Sequence, residues 1–274
     1  MFKPKPFFFL TIILVLIIAS PVFAEDKEEL RFSNDWLKGV AIVVYQNQYG
    51  TCFWVNPSHV VTAAHVVNNQ PNAVVTIIRG NVHARGVVVA LDTQSDLAVI
   101  YVENSGQFDK YIFPLAVRIP EPSSTIYVIG YPFELLQIMG SLEALSENPR
   151  ILESRLTWSA NGLIELGGIV DAGNSGGPVL DYYGNVIGVV SFALRGNAGV
   201  LYFATTVGAL RELLREHGIA YIEGTSSILP ESIVQDPFVA GAIAGASAGL
   251  VLDILILATG TGLGILIASK RRRR

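Results

Sequence analysis

Short runs of β-branched and aliphatic residues, separated by turn residues, occupy the middle of the chain. In the first half they span 40–45, 52–55, 60–62, 73–78, 86–91 and 97–102, and in the second half 125–129, 154–158, 163–166, 178–180, 186–191 and 200–204. Asn, Gly and Pro stand between the runs, as at Asn56-Pro57 and Gly80-Asn81. Short strands at this spacing predict an all-β barrel or sandwich. Because the pattern occurs twice, two barrels with a connection near 106–123 fit the sequence.

Two further stretches have a helical pattern. In 206–217, Leu210, Leu213 and Leu214 share one face and charged residues share the other, which predicts a C-terminal helix packed on the second barrel. The stretch 133–150 is apolar but is interrupted by Gly140 and Pro149. It fits either a short helix or a loop, and the residues alone leave both open.

The N-terminal 24 residues have the pattern of a secretory signal peptide. Lys3 and Lys5 precede an apolar run at 7–19, and a small-residue cleavage site ends at Ala24. An uncleaved signal anchor is the alternative, and the break at Pro21 favours cleavage. We therefore predict a signal peptide at 1–24 and a folded domain at 25–219.

The C-terminal end is also apolar. The stretch 238–269 carries one charged residue, Asp253, and a basic tail follows at 270–274. About 20 apolar residues suffice to cross a bilayer, so we predict a linker at 220–237 and a single transmembrane helix at 238–269. The basic tail would stay in the cytoplasm, with the folded domain on the extracytoplasmic side of the cell membrane.

Three glycines in this apolar stretch are spaced by four residues: Gly241, Gly245 and Gly249. This spacing lets membrane helices approach closely, so a homo-oligomer through this face is one hypothesis. Glycine is frequent in membrane helices in general, and we favour that simpler explanation.

Charge and cysteine content exclude several classes of function. The net charge is −4, and it is more negative without the cationic ends, which argues against nucleic acid as a partner. Cys52 is the only cysteine, so an intramolecular disulfide is impossible, and we expect a buried side chain. The four histidines are scattered without metal-ligand spacing. We predict neither a metal nor a cofactor.

The segment Gly173–Pro178 has the composition that a serine nucleophile needs. Ser175 stands among residues with small side chains, so a carbonyl can approach its Oγ closely. Gly173 can adopt a positive φ. We predict an oxyanion hole at Gly173, Asn174 and Ser175, with the N–H groups of Gly173 and Ser175 as donors. A plain turn between two strands is the alternative.

A serine nucleophile needs a base and an acid that orients the base. His65 follows the β-branched run at 60–62 and has the setting best suited to a catalytic base. The other histidines have less suitable settings: His59 is predicted at a turn, His83 on a strand face and His217 at a helix end. Asp96 opens a buried apolar run, where a carboxylate requires a partner. Asp92 is the competing acid, but its sequence favours a turn.

These segments, in the order His, Asp, Ser, resemble the trypsin-like serine proteases, and within them the HtrA/Deg branch. The similar segments are 62–67, 95–100 and 171–178, and the resemblance covers about 39–217. It implies two six-stranded barrels with a cleft between them. It also implies a serine endopeptidase in which Ser175 attacks, His65 is the base and Asp96 orients His65.

The resemblance also implies how substrate is held. Polypeptide would add as a strand against Ser191, Phe192 and Ala193. The residue six before the nucleophile forms the floor of the primary specificity pocket and is Ile169 here. We therefore expect a preference for small or medium apolar side chains, although Asp171 lies near the pocket mouth.

The chain departs from the HtrA pattern in one respect. Those proteases usually carry a PDZ domain, and 220–237 is too short for one. The resemblance implies protein quality control or processing outside the cytoplasm. A catalytically idle, membrane-tethered binding or chaperone module is the alternative. An acyl hydrolase with a Gly-x-Ser-x-Gly elbow is disfavoured, because a strand and not a helix follows Ser175.

Overall fold

The first half of the folded domain is a closed six-stranded barrel. The computed structural model describes residues 33–168, 170–197 and 199–224, and the backbone of 254–259 and 262–267. The strands of the first barrel pair in the order β1-β2-β3-β6-β5-β4. They are β1 (Val40–Tyr45), β2 (Gln48–Asn56), β3 (His59–Ala63), β4 (Val74–Arg79), β5 (Val82–Asp92) and β6 (Leu97–Val102).

The second half repeats the architecture. Its strands pair in the order β10-β11-β12-β9-β8-β7, which also closes a barrel. They are β7 (Thr125–Gly130), β8 (Arg150–Ala160), β9 (Leu163–Leu166), β10 (Pro178–Leu180), β11 (Val186–Gly196) and β12 (Gly199–Thr206). The predicted two-barrel, all-β fold is confirmed.

The connection between the barrels packs on both of them. Phe113 and Leu115 are fully buried, and the Phe113 N–H donates to Trp54 O of β2 at 3.0 Å. Leu115 forms a bridge with Val186 of β11. The connection thus joins the two barrels through backbone pairing, with buried apolar side chains beside it.

Three α-helices accompany the barrels within the described domain. The stretch 133–150, left open by the sequence, forms two short helices, α1 (Phe133–Met139) and α2 (Leu142–Ser146). The turn between them is possible because Gly140 adopts a φ of 77°. The terminal helix α3 (Val207–Glu216) buries Leu210, Leu213 and Leu214, as its amphipathic pattern predicts.

The folded domain extends five residues past the predicted boundary at 219. The Asn56 side chain donates to Ala220 O at 2.8 Å, and the Leu115 N–H donates to Ile222 O at 2.8 Å. The Gly224 N–H donates to Leu115 O at 2.8 Å. These bonds join 220–224, assigned to the linker by composition, to β2 and to the inter-barrel connection.

The apolar C-terminal stretch contains strands where a helix was expected. β13 (Ile254–Thr259) and β14 (Gly262–Ile267) pair antiparallel, with Thr259 opposite Gly262. Both segments are rich in isoleucine and leucine, and β-branched residues favour strands. The helix predicted over 238–269 is wrong for these residues.

Several predictions fall on residues that the structure does not describe. They concern the signal peptide at 1–24, most of the linker, the basic tail at 270–274, and the positions Ile169, Gly241, Gly245 and Gly249. Among the described residues, no helix combines the length and apolar character needed to cross a membrane.

Candidate active site

His65 lies in a short 3-10 helix at the end of a buried strand. The helix spans Ala64–Val67 and follows β3 directly. Ala64, Val66 and Val67 are buried, whereas the His65 side chain is 45% exposed. The apolar neighbours therefore anchor the turn in the first barrel, and the imidazole faces the solvent-accessible side.

Asp96 lies just before β6 and faces His65. The His65 Nδ1–H donates to Asp96 Oδ2 at 2.8 Å, and the His65 backbone N–H donates to Asp96 Oδ1 at 2.9 Å. Because an ionised carboxylate only accepts hydrogen bonds, this contact fixes the tautomer with the proton on Nδ1. Nε2 is then the ring nitrogen that can accept a proton.

Asp92 has a different role from Asp96. Its carboxylate accepts hydrogen bonds from the backbone N–H groups of Gln94 and Ser95, at 2.9 and 3.1 Å. These bonds close the turn between β5 and β6, as its local sequence suggests. The turn sets the position of Asp96 at the start of the next strand.

A buried serine from the second barrel completes the surroundings of Asp96. The Ser191 Oγ–H donates to Asp96 Oδ2 at 2.5 Å, and Ser191 is 4% exposed. Burial alone would raise the pKa of Asp96, but the hydrogen bonds from His65 and Ser191 and the attraction of His65 hold that pKa below its usual value. The carboxylate therefore stays ionised beside the imidazole.

The sequence does not predict two contacts around Asp96, one made by Ser191 and one made by Thr205. Ser191 was expected beside the substrate, but a register shift of β11 between Val190 and Phe192 accompanies the inward turn of its side chain. The Thr205 Oγ–H donates to Ser95 O at 2.6 Å, which fixes the peptide before Asp96. Both pairs are separated by about a hundred residues in the chain, so no local pattern reveals them.

Residues 171–178, which carry the candidate nucleophile Ser175 and are called the nucleophile loop below, lie against the first barrel. Gly173 has a φ of 94° and Gly176 a φ of 83°. A Cβ at Gly173 would lie 2.2 Å from Tyr131 O, and a Cβ at Gly176 would lie 2.2 Å from Thr62 Oγ1. Both positions therefore require glycine on grounds of space and backbone conformation.

Ser175 lies close to the turn that carries His65. A Cβ at Gly50 would lie 2.8 Å from the Val66 side chain and 2.9 Å from Ser175 O. Gly50 of β2 thus lies between Val66, which follows His65, and the candidate nucleophile Ser175. Ser175 itself is partly exposed.

The backbone N–H groups of the loop fall into two sets. The Asn174 N–H donates to Asp171 O at 3.2 Å, and the Gly177 N–H donates to Asn174 O at 2.8 Å. The Gly176 N–H donates to Val190 O at 2.8 Å. The N–H groups of Gly173 and Ser175 have no acceptor among the residues that the structure describes. Two unpaired N–H groups on either side of one residue suit an oxyanion hole. Asn174, predicted as part of the hole, is buried and uses its N–H within the loop.

The segment predicted to hold substrate has an edge that pairs with no strand of the described residues. β10 pairs with β11 only as far as Val189, whereas β12 continues along β11 to Gly196. Phe192 and Ala193 are exposed, and the Phe192 ring stacks on Phe203 at 5.2 Å between ring centroids. An extended peptide can pair with this edge.

Two other polar groups near the loop have structural partners. Arg150 Nη1 lies 3.0 Å from Asp171 Oδ2, so the carboxylate near the pocket mouth is paired with a cation. Cys52 is fully buried, as expected, and burial raises the pKa of its thiol. Since the thiolate is the reactive form, Cys52 is not a candidate nucleophile.

The family follows from comparison with known proteins. Residues 50–189 match the family model described as the trypsin-like peptidase domain. The chain belongs to this family. Among solved structures, this trypsin-like peptidase is similar in fold to the active form of the Rv3671c protease from Mycobacterium tuberculosis. The TM-score is 0.54 at 23% identity, over 70% of this chain and 86% of that chain.

Curated relatives include proteases of the HtrA type. The chain is 31% identical to the putative serine protease HhoB of Synechocystis over 160 residues, which cover 54% of this chain and 35% of that protein. It is 27% identical to human serine protease HTRA4 over 158 residues, 58% of this chain and 32% of that protein. The chain thus spans about a third of the length of these relatives, which support an HtrA-type peptidase domain.

Proposed function

We propose that this trypsin-like peptidase is a serine endopeptidase that acts through Ser175, His65 and Asp96. The observation that carries the proposal is the 2.8 Å bond between His65 Nδ1 and Asp96 Oδ2, beside a glycine loop with two unpaired N–H groups. The serine protease relatives support the same reaction class.

The proposed reaction begins with attack of the Ser175 Oγ on the scissile carbonyl carbon. His65 Nε2 takes the hydroxyl proton and then gives it to the leaving amine. Asp96 holds the imidazole and stabilises its protonated form. The Gly173 and Ser175 N–H groups bind the oxyanion, and each such donor typically contributes about 10²–10³ in kcat. Water then attacks the acyl-enzyme by the reverse sequence of proton transfers.

The proposed substrates are polypeptides bound in an extended conformation. The free edge of β11 beyond Ser191 supports strand addition, with Phe192 and Ala193 in contact with the substrate. The pairing of Asp171 with Arg150 weakens its attraction for a cationic side chain. We expect cleavage after small or medium apolar residues, consistent with Ile169 at the predicted pocket floor. Dominant cleavage after Lys or Arg in a peptide library would contradict this preference.

We also propose that the enzyme works outside the cytoplasm, attached to the cell membrane, in protein quality control or processing. The apolar composition of 238–269 and the basic tail at 270–274 support attachment, and the signal-like 1–24 supports export. Detergent-dependent extraction of the full chain, compared with a chain ending at residue 237, tests attachment. Release of both chains by salt alone would contradict it.

Labelling with a fluorophosphonate probe tests the proposed nucleophile and base. We expect the full-length protein to be labelled, and both Ser175→Ala and His65→Ala to lose labelling. His83→Ala is the matched control, because His83 is an exposed histidine that pairs with Glu143 at 3.3 Å. Absence of labelling in the wild type at every pH tested would favour the idle binding module instead.

A further inference from the structure

Thr51 of β2 directs its polar groups toward the nucleophile loop of the other barrel. Its N–H donates to Ser175 O at 2.9 Å, and its Oγ–H donates to Gly173 O at 2.7 Å. The same Oγ accepts the Tyr131 N–H at 3.1 Å. Thr51 is fully buried, so water does not compete for these bonds. One residue of the first barrel therefore joins three points of the second half of the chain, two through its side chain and one through its backbone N–H.

The bonds of Thr51 fix the orientation of two peptide groups around the nucleophile. A peptide group is planar, so holding its carbonyl also holds the direction of its N–H. Thr51 holds the 173–174 peptide through Gly173 O and the 175–176 peptide through Ser175 O. The 174–175 peptide, which carries the Ser175 N–H, lies between these two fixed groups.

The second unpaired donor is fixed by a neighbouring contact. The Phe133 N–H donates to Ala172 O at 2.7 Å, which orients the peptide that carries the Gly173 N–H. Phe133 follows Tyr131 by two residues, and the Tyr131 N–H is the group that Thr51 Oγ accepts. The Thr51 hydroxyl therefore ties the nucleophile loop to the backbone that holds Ala172.

We propose that Thr51 is a positioning residue that keeps the Gly173 and Ser175 N–H groups directed at the oxyanion. This inference rests on the proposed function of Ser175 as nucleophile. Thr51 touches neither substrate nor the reacting atoms, and it acts through the loop. Its place on β2 makes the geometry of the hole depend on the contact between the two barrels.

Thr51→Val removes the hydroxyl at nearly constant volume and retains the backbone N–H. We expect faster hydrogen–deuterium exchange in peptides that cover 171–178 and a fall of about tenfold or more in the fluorophosphonate labelling rate, because misplacement of about 1 Å can cost 10²-fold. With a peptide substrate, kcat should fall and KM should change little. Thr51→Ser retains the hydroxyl and should restore both the exchange pattern and the labelling rate.

Thr206→Val is the matched control, since Thr206 is also buried and its side chain makes no capping bond to α3. If Thr51→Val keeps wild-type exchange at 171–178 and a wild-type labelling rate, the proposal is overturned. The same holds if Thr206→Val produces equal changes, because general loosening would then explain them. If Thr51→Val does not fold, Thr51→Ala replaces it in both measurements. Exchange at 171–178 decides the role of Thr51 even if the wild type proves inactive.

Discussion

The two halves of the candidate site are held in different ways. The proposed base His65 and its proposed acid Asp96 belong to the first barrel, where β3 and β6 pair directly and Ala63 lies opposite Leu97. The nucleophile loop belongs to the second barrel, but Gly173 O and Ser175 O are bonded to Thr51 of the first. Pairing of β3 with β6 therefore brings His65 and Asp96 together, and Ser191 and Thr205 of the second barrel add bonds to Asp96 Oδ2 and Ser95 O. The nucleophile loop, in contrast, is held by its bonds to Thr51 of the first barrel.

This difference indicates where small changes should matter. A change in the His65–Asp96 pair should alter the acid–base chemistry and leave the loop in place. A change at Thr51 should move the loop while His65 and Asp96 keep their bond.

Asp96→Asn should abolish most activity without disturbing the nucleophile loop. An amide can donate to His65 Nδ1 and favour the wrong tautomer, and such a change typically lowers kcat by about 10⁴-fold. Asp92→Asn is the matched control, because Asp92 only closes a turn. Steady-state kinetics on a peptide substrate measure both variants. Equal losses in the two variants would contradict the assignment of Asp96 as the orienting acid.

Gly173→Ala should disrupt the loop and leave the His65–Asp96 pair intact. The new Cβ would meet Tyr131 O at 2.2 Å, in a backbone conformation unfavourable to alanine. We expect a loss of about 10²–10³ in kcat, the magnitude for one lost oxyanion donor. Gly162→Ala is the control for strain alone, because Gly162 also has a positive φ but open space around its Cα. Similar kinetic losses in both variants would show that the clash at Gly173 is unimportant.

Ser191→Ala should have the smallest effect on activity and a clear effect on acid stability. The pKa of Asp96 in the folded protein lies below its usual value, which is that of the unfolded chain. The ionised Asp96 therefore stabilises the fold at a pH above the unfolded-state pKa. This stabilisation is lost as the pH falls through the folded-state pKa. Loss of the Ser191 bond should raise that folded pKa, so that the stabilisation disappears at a higher pH on acidification.

Acid unfolding, followed by circular dichroism, measures this shift. Ser154→Ala is the control, since Ser154 is buried and its Oγ has no hydrogen-bond partner in the described structure. We expect a higher unfolding midpoint pH for Ser191→Ala alone. An unchanged midpoint would mean that Ser191 does not lower the pKa of Asp96.

The sequence predicts the local features of this molecule better than its long-range contacts. The twelve strands of the barrels and the amphipathic helix α3 follow from apolar periodicity, and the pairing of His65 with Asp96 agrees with the local settings of both residues. The roles of Thr51, Ser191 and Thr205 depend on bonds between residues 95 to 122 positions apart. Closure of the barrels brings these residues together, and no short motif encodes it.

Two boundaries show the same limit. Composition placed the domain end at 219, but 220–224 add to the inter-barrel connection through backbone bonds that any residue type can make. In 254–259 and 262–267 apolar content alone suggests a helix, but the two segments pair as antiparallel strands. In both cases the deciding signal was backbone pairing and not side-chain hydropathy.

The most direct test of the proposed endopeptidase is mass-spectrometric mapping of cleavage sites in a peptide library, with the full-length protein and its Ser175→Ala variant. We predict new termini after small or medium apolar residues with the wild-type protein, and none with Ser175→Ala. Equal cleavage by both proteins, or no cleavage by the wild type under conditions where the fold is intact, would contradict the assignment of Ser175 as the nucleophile of an active endopeptidase.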